Sequence, residues 1–198
     1  MNIKIPQSYT PSEKDIKNVI APAAIENAPA YLKLGDKFVK TIFIFTYPRY
    51  LSSGWFNQIV NLPELMDISI FVHPVNTVAA MKSLRKKTSQ IEAQLMEREE
   101  KGLVRDPMLE TAFQDIETLR DTLQQGREKM FNVGIYITLQ ADSLDELFKI
   151  EEKINALFES QLIYAKPTVF QQIEGFTSVL PLGLDKLTTW TPLNSGPA

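Results

Sequence analysis

The sequence predicts an α+β fold: a small β-sheet carrying helices, with a long helical hairpin inserted between its two halves. Three observations carry this. Residues 37–47 and 130–141 alternate in character with a period of two. Residues 76–129 instead repeat apolar side chains every three or four positions, in two blocks joined by "GLVRD". The order of periods along the chain is β-α-β, two helices, then β-α-β.

The elements follow in order. Residues 1–30 contain Pro6, Pro11, Pro22 and Pro29 with little periodicity, and read as an N-terminal arm, mobile or loosely docked. Gly35-Asp36 sits between two β-prone runs and predicts a hairpin, with strands near 31–34 and 37–47. In the second of these Ile42 and Ile44 share one face, Phe43 and Phe45 the other. Both faces are apolar, so this strand is expected to be central. "SSGWFNQIVNL" predicts a short helix capped by Ser52 or Ser53 and ended by Pro63. "MDISIFVHPV" is a strand with one mixed face, which suits an edge.

Thr77, Met81, Leu84, Thr88, Ile91 and Leu95 then mark a first coiled-coil seam, and Gly102 its stop. Asp106 caps a second helix with Pro107 in its first position. Leu109, Ala112, Ile116, Leu119 and Leu123 mark the second seam. The short link folds the two helices back antiparallel. "MFNVGIYITLQA" alternates cleanly and is expected to be central. Ser143 and Glu146 have capping-box spacing at the head of an amphipathic helix. "LIYAKPTVF" closes the set as a strand that Pro167 interrupts or ends. This course matches a ferredoxin-like split βαβ unit, occupying 31–175, with the hairpin inserted at 76–129.

Composition narrows the function. The 198 residues suffice for one substantial domain, and the apolar fraction of 44% is that of an ordinary globular chain. The net charge of −3 creates no global basic field for nucleic acid. There is no cysteine, which excludes disulfides and thiolate metal sites. With a single histidine, His73, neither a histidine-based triad nor a multi-histidine metal site is expected, and solvent exposure or packing is its plain reading. The longest strongly apolar run, near 41–46, is far short of the roughly 20 residues that span a bilayer. No phosphate loop of the form G-x-x-x-x-G-K-[ST] occurs, and "GLDKLT" at 183–188 is a poor imitation. No catalytic residue, cofactor site or metal ligand is therefore expected in this chain.

The charged stretches have bland readings. Glu97, Glu99 and Glu100, and Glu151 and Glu152, read as solvated helix faces. "KSLRKK" at 82–87 is the best basic patch for an anion, but i,i+4 pairing with later carboxylates is the default. Two surfaces stand out for partners. One is the corner "FTYPRYLSSGWF", where Tyr47, Arg49, Tyr50 and Trp55 combine amphipathic rings with a cation. The other is the outer face of the hairpin, with Arg85, Arg98 and Arg105.

The ordered set "YLKLGDKFVKTIFIFTYPRYLSSGWF", "MDISIFVHPV", "MEREEKGLVRDPMLETAFQDIETLRD" and "FQQIEGFTSVLPLGLDKL" resembles the N-terminal region of the VirB/CagE/TrbE family of conjugative type IV secretion ATPases. The resemblance covers about residues 20–194. It implies a non-catalytic assembly or docking domain that recruits a motor to the inner-membrane channel during bacterial conjugation and DNA transfer. It also implies a cytoplasmic place, peripheral to the inner membrane through partners. Those partners would be other channel proteins and further subunits, without direct nucleic-acid binding. ATP and Mg would belong to a motor domain with its own phosphate loop, and 176–198 would be a connector toward it. The alternative is a free-standing coiled-coil adaptor without a motor. On its own the chain is expected to be a monomer or weak oligomer.

Overall fold

The computed structural model describes residues 24–104 and 106–196. Within them lies a mixed α/β unit: a seven-stranded antiparallel sheet and five helices. Most of the N-terminal stretch expected as an arm falls outside the described residues. Its last part contributes β1 (Ile25–Asn27), which pairs antiparallel with β2 (Leu32–Leu34). The Gly35-Asp36 turn returns the chain as β3 (Lys37–Thr46), with Leu34 opposite Lys37 and Gly35 at φ +59°. Next come α1 (Asn57–Val60), β4 (Met66–Pro74), α2 (Thr77–Glu100) and α3 (Pro107–Gln124). The chain ends with β5 (Met130–Ala141), α4 (Leu144–Glu159), β6 (Tyr164–Pro167), α5 (Gln172–Val179) and β7 (Thr191–Asn194).

β3 and β5 are neighbours at the middle of the sheet, and β4 ends it beyond β5. The other edge of β3 is shared: β2 pairs with residues 37–39 and β6 with residues 42–46. Between those two partners the ladder has a gap at Thr41. Side chain and loop fill it, because a buried backbone amide must be satisfied. Thr41 N donates to Gln172 Oε1 at 2.9 Å, and Thr168 N donates to Thr41 O at 3.0 Å. β7 extends β5 at the opposite end, pairing with residues 130–133.

Both faces of β3 and β5 are covered, which explains why both faces of β3 read as apolar over Ile42–Phe45. α4 seals one face, where Leu147, Ile154 and Phe158 meet Ile42, Ile44, Ile135 and Ile137. Ser143 caps α4 as its spacing predicts, accepting from Glu146 N at 3.2 Å. α5 lies on the opposite face, where Gly175 allows close approach to the sheet. A Cβ there would stand 2.8 Å from Thr41 Cβ and 2.9 Å from Thr168 Oγ1. Helix propensity alone favours alanine over glycine by about 1 kcal/mol. Overpacking against a rigid central strand costs about 1–3 kcal/mol. Gly175→Ala is therefore expected to lower the urea midpoint rather than raise it.

Several details differ from the sequence expectation. α1 starts after Phe56, with no side-chain cap, and neither Ser52 nor Ser53 caps it. The first seam of the hairpin buries Ala80, Leu84 and Thr88, while Thr77 lies exposed. Glu151 is not on a solvated face. It reaches from α4 to Lys40 on β3 at 2.5 Å, with only 13% of its side chain exposed. The stretch expected as a connector starts inside α5 and runs back along the sheet into β7. Along the way Asp185 accepts from Tyr136 Oη at 3.0 Å and from Trp190 Nε1 at 2.6 Å. Burial, then the bond to Asp185, push the Tyr136 hydroxyl's pKa upward. His73 packs here between Phe71 and Trp190, 3.7 Å from Asp185 Oδ2.

Candidate functional site

The arm is the largest feature outside the sheet. α2 has 24 residues, so at about 1.5 Å per residue it extends roughly 36 Å. Asn76 and Asp106 cap the two helices, accepting from Val78 N at 2.8 Å and Met108 N at 3.0 Å. Gly102, at φ +65°, turns the chain at the tip. Leu103 N reaches Arg98 O and Gly102 N reaches Glu99 O, each at 3.0 Å, which satisfies the last carbonyls of α2. The helices pack mainly on each other, and two helices cannot enclose all their apolar surface. Leu103, Val104 and Met108 stand exposed at the tip, Val104 at 85%.

The ring-rich corner follows β3 and lies at the same end of the sheet as the base of the arm. Its side chains divide into two groups. Tyr47 and Trp55 are half-buried and turn inward: Tyr47 meets Trp55 edge-on at 5.9 Å, Trp55 meets Phe56 at 4.9 Å, and Phe56 stacks on Phe158 at 6.3 Å. This chain of rings runs from the corner into the core. The Tyr47 hydroxyl is enclosed, and burial raises its pKa. Phe45, on the opposite face of β3, is only half-buried, with the Lys166 ammonium 4.1 Å from its ring centre.

Arg49 and Tyr50 turn outward. Arg49 forms an ion pair with Asp115 on α3, and its guanidinium lies 5.2 Å from the centre of the Tyr50 ring. The hydrogen bond to Asp115 raises the pKa of Arg49. The corner thus braces the arm. Tyr50 remains 75% exposed and is the corner's free aromatic surface.

Arg85 is exposed near the base of α2, beside Val78, Met81 and Lys82, on a groove of about 680 Å³. Arg98 is half-buried near the tip, where its Nη2 donates to Val104 O at 3.3 Å and it lines a cavity of about 460 Å³ with Leu95 and Leu103. Arg105 lies outside the described residues. Corner and arm are therefore one connected surface, joined through Arg49 and Asp115. Sequence reasoning missed that bond, since nothing in the spacing of residues 49 and 115 signals it.

The basic patch also differs from expectation. Lys82, Arg85, Lys86 and Lys87 have no carboxylate partner among the described residues, whereas Lys101, just past the end of the helix, pairs with Glu97 at 2.5 Å. The reason is arithmetic: the residues three or four away from those four cations are neutral or basic. Among the described residues no cluster of three or more His, Asp or Glu could hold a metal ion, and no helix is long and apolar enough to cross a membrane.

Comparison with protein-family models finds no match, and comparison with curated proteins finds none.

Proposed function

We propose that this chain is a non-catalytic docking and assembly domain whose partners are other proteins. The arm with its exposed tip is the observation that carries this reading: a hairpin of this length contributes little to the sheet's core, and apolar side chains at its end suit contact. The strand order β6-β3-β5-β4, with the arm joining β4 to β5, supports reading the core as a ferredoxin-like split βαβ unit with an inserted hairpin. In the more specific form suggested by the sequence resemblance, the domain belongs to a conjugative type IV secretion ATPase. It holds the motor to channel proteins at the inner membrane, and ATP and Mg bind elsewhere in the parent protein.

Photo-crosslinking tests it. A photoreactive phenylalanine at Tyr50 or Val104, introduced into the full-length protein in donor cells, is expected to give adducts with inner-membrane channel components. A folded protein without such adducts would count against the secretion reading. Turnover of ATP by the purified chain would overturn the non-catalytic one. An open reading frame running past Ala198 into a phosphate-loop motif supports the motor-linked form; a stop codon there favours the free-standing adaptor.

A further inference from the structure

The charges of α2 are segregated. Its first half, 77–88, carries Lys82, Arg85, Lys86 and Lys87 and no carboxylate. Its second half, 89–100, carries Glu92, Glu97, Glu99 and Glu100 against one cation, Arg98. The four cations and Glu92, Glu99 and Glu100 are exposed and have no ion-pair partner among the described residues. Like charges four apart, such as Lys82 and Lys86, cost an isolated helix about 0.2–0.5 kcal/mol. An arrangement that is unfavourable within one helix becomes favourable when the complement comes from outside.

We propose that α2 pairs antiparallel with α2 of a second copy of this chain. In that orientation the basic first half of each α2 faces the acidic second half of the other. A parallel pair would set four cations against four and is repelled. The exposed face also has the shape for a helix partner. Val78, Lys82, Arg85, Ser89, Glu92 and Met96 recur at four- and three-residue steps along it, away from the buried seam of Ala80, Leu84 and Thr88. Near its middle the side chains are small, Ser89 and Ala93, which permits close approach at a crossing. With Lys82 opposite Glu99, the exposed tip residues Leu103 and Val104 arrive beside Val78 and Thr77, at the groove near the base of the other arm. The pairing names one partner for the arm and so deepens the reading above, but it depends on this helix face alone and not on the secretion assignment.

The contact is mostly electrostatic, so the dimer is expected to be weak and sensitive to salt. Sedimentation equilibrium of the full 198-residue chain is the test. At low ionic strength a concentration-dependent dimer should appear, with its dissociation constant weakened about tenfold or more at half-molar salt. Lys82→Glu/Arg85→Glu/Lys86→Glu should be monomeric, as should Glu92→Lys/Glu99→Lys/Glu100→Lys. Their equimolar mixture should associate. Because the chain has no cysteine, Lys82→Cys and Glu99→Cys report orientation: the mixture should form the 82–99 disulfide far faster than either variant forms its own. Circular dichroism confirms that these surface variants remain helical. A wild-type chain that stays monomeric at about 100 μM in low salt overturns the proposal. So does preferential 82–82 linkage, which means parallel arms. Binding of the wild type to anionic vesicles without self-association also overturns it, because the basic half then serves a membrane.

Discussion

Phe158→Ala is expected to cost about 3–5 kcal/mol of folding stability. Phe158 is fully buried on α4, inside the cluster that joins α4 to β3 and β5. It also ends the chain of rings through Phe56 and Trp55 to Tyr47. Truncation removes the transfer free energy of an aromatic ring and leaves a cavity that a sheet on one side and a helix on the other cannot collapse to fill. Domains retain about 5–15 kcal/mol in total, so the variant would have lost a large part of its reserve. At about 2–4 °C per kcal/mol the thermal midpoint falls by roughly 10 °C. The ring chain gives a second readout. In a Trp190→Phe background only Trp55 reports, and its emission should shift to the red as its packing loosens. A loss below about 1 kcal/mol would mean that α4 is not seated on the sheet as described.

The parts of this fold visible in the sequence are those where one physical signal dominates. The period of two in 130–141 gives β5 to the residue, and two apolar faces on Ile42–Phe45 correctly make β3 central. Asp106-Pro107, Ser143 and Gly102 punctuate helices at the positions they occupy. The parts missed depend on tertiary contacts. α5 is eight residues long with a glycine inside it, and its role comes from Gln172 filling a gap in a ladder whose partners are far away in sequence. β7 contains Pro192 and spans four residues, too few for a periodic signal. Likewise the ring cluster at 45–56 was legible as a surface feature, but not its division into Tyr47 and Trp55 facing the core and Tyr50 facing out. That division depends on Phe56 meeting Phe158, about a hundred residues later. The bare charges of α2 were open to inspection all along. Counting three and four positions from each lysine shows that no carboxylate is available to it.

Lys40 and Glu151 give the second large effect, and the sign of each variant separates two accounts of a buried ion pair. Lys40 stands on the central strand with 6% of its side chain exposed, and Glu151 on α4 with 13%. The Lys40 ammonium also lies 4.9 Å from the centre of the Phe148 ring. Bringing both charges out of water is costly, and their attraction approximately offsets that cost when the pair is intact. Lys40→Met removes the attraction and leaves the Glu151 carboxylate against the sheet with no cation. About 3 kcal/mol should be lost, the lower end of the range for broken buried pairs because Glu151 keeps some contact with solvent. Glu151→Leu alone strands the Lys40 ammonium and should cost a similar amount, softened by the face of Phe148. The double variant Lys40→Met/Glu151→Leu strands nothing and fills the same space with apolar atoms. It should be close to wild type in stability, or above it, so that a double-mutant cycle from urea unfolding gives a coupling of several kcal/mol. Additive losses in the double variant would instead mean that each side chain is held by its own packing, and that the pair does not join α4 to the sheet.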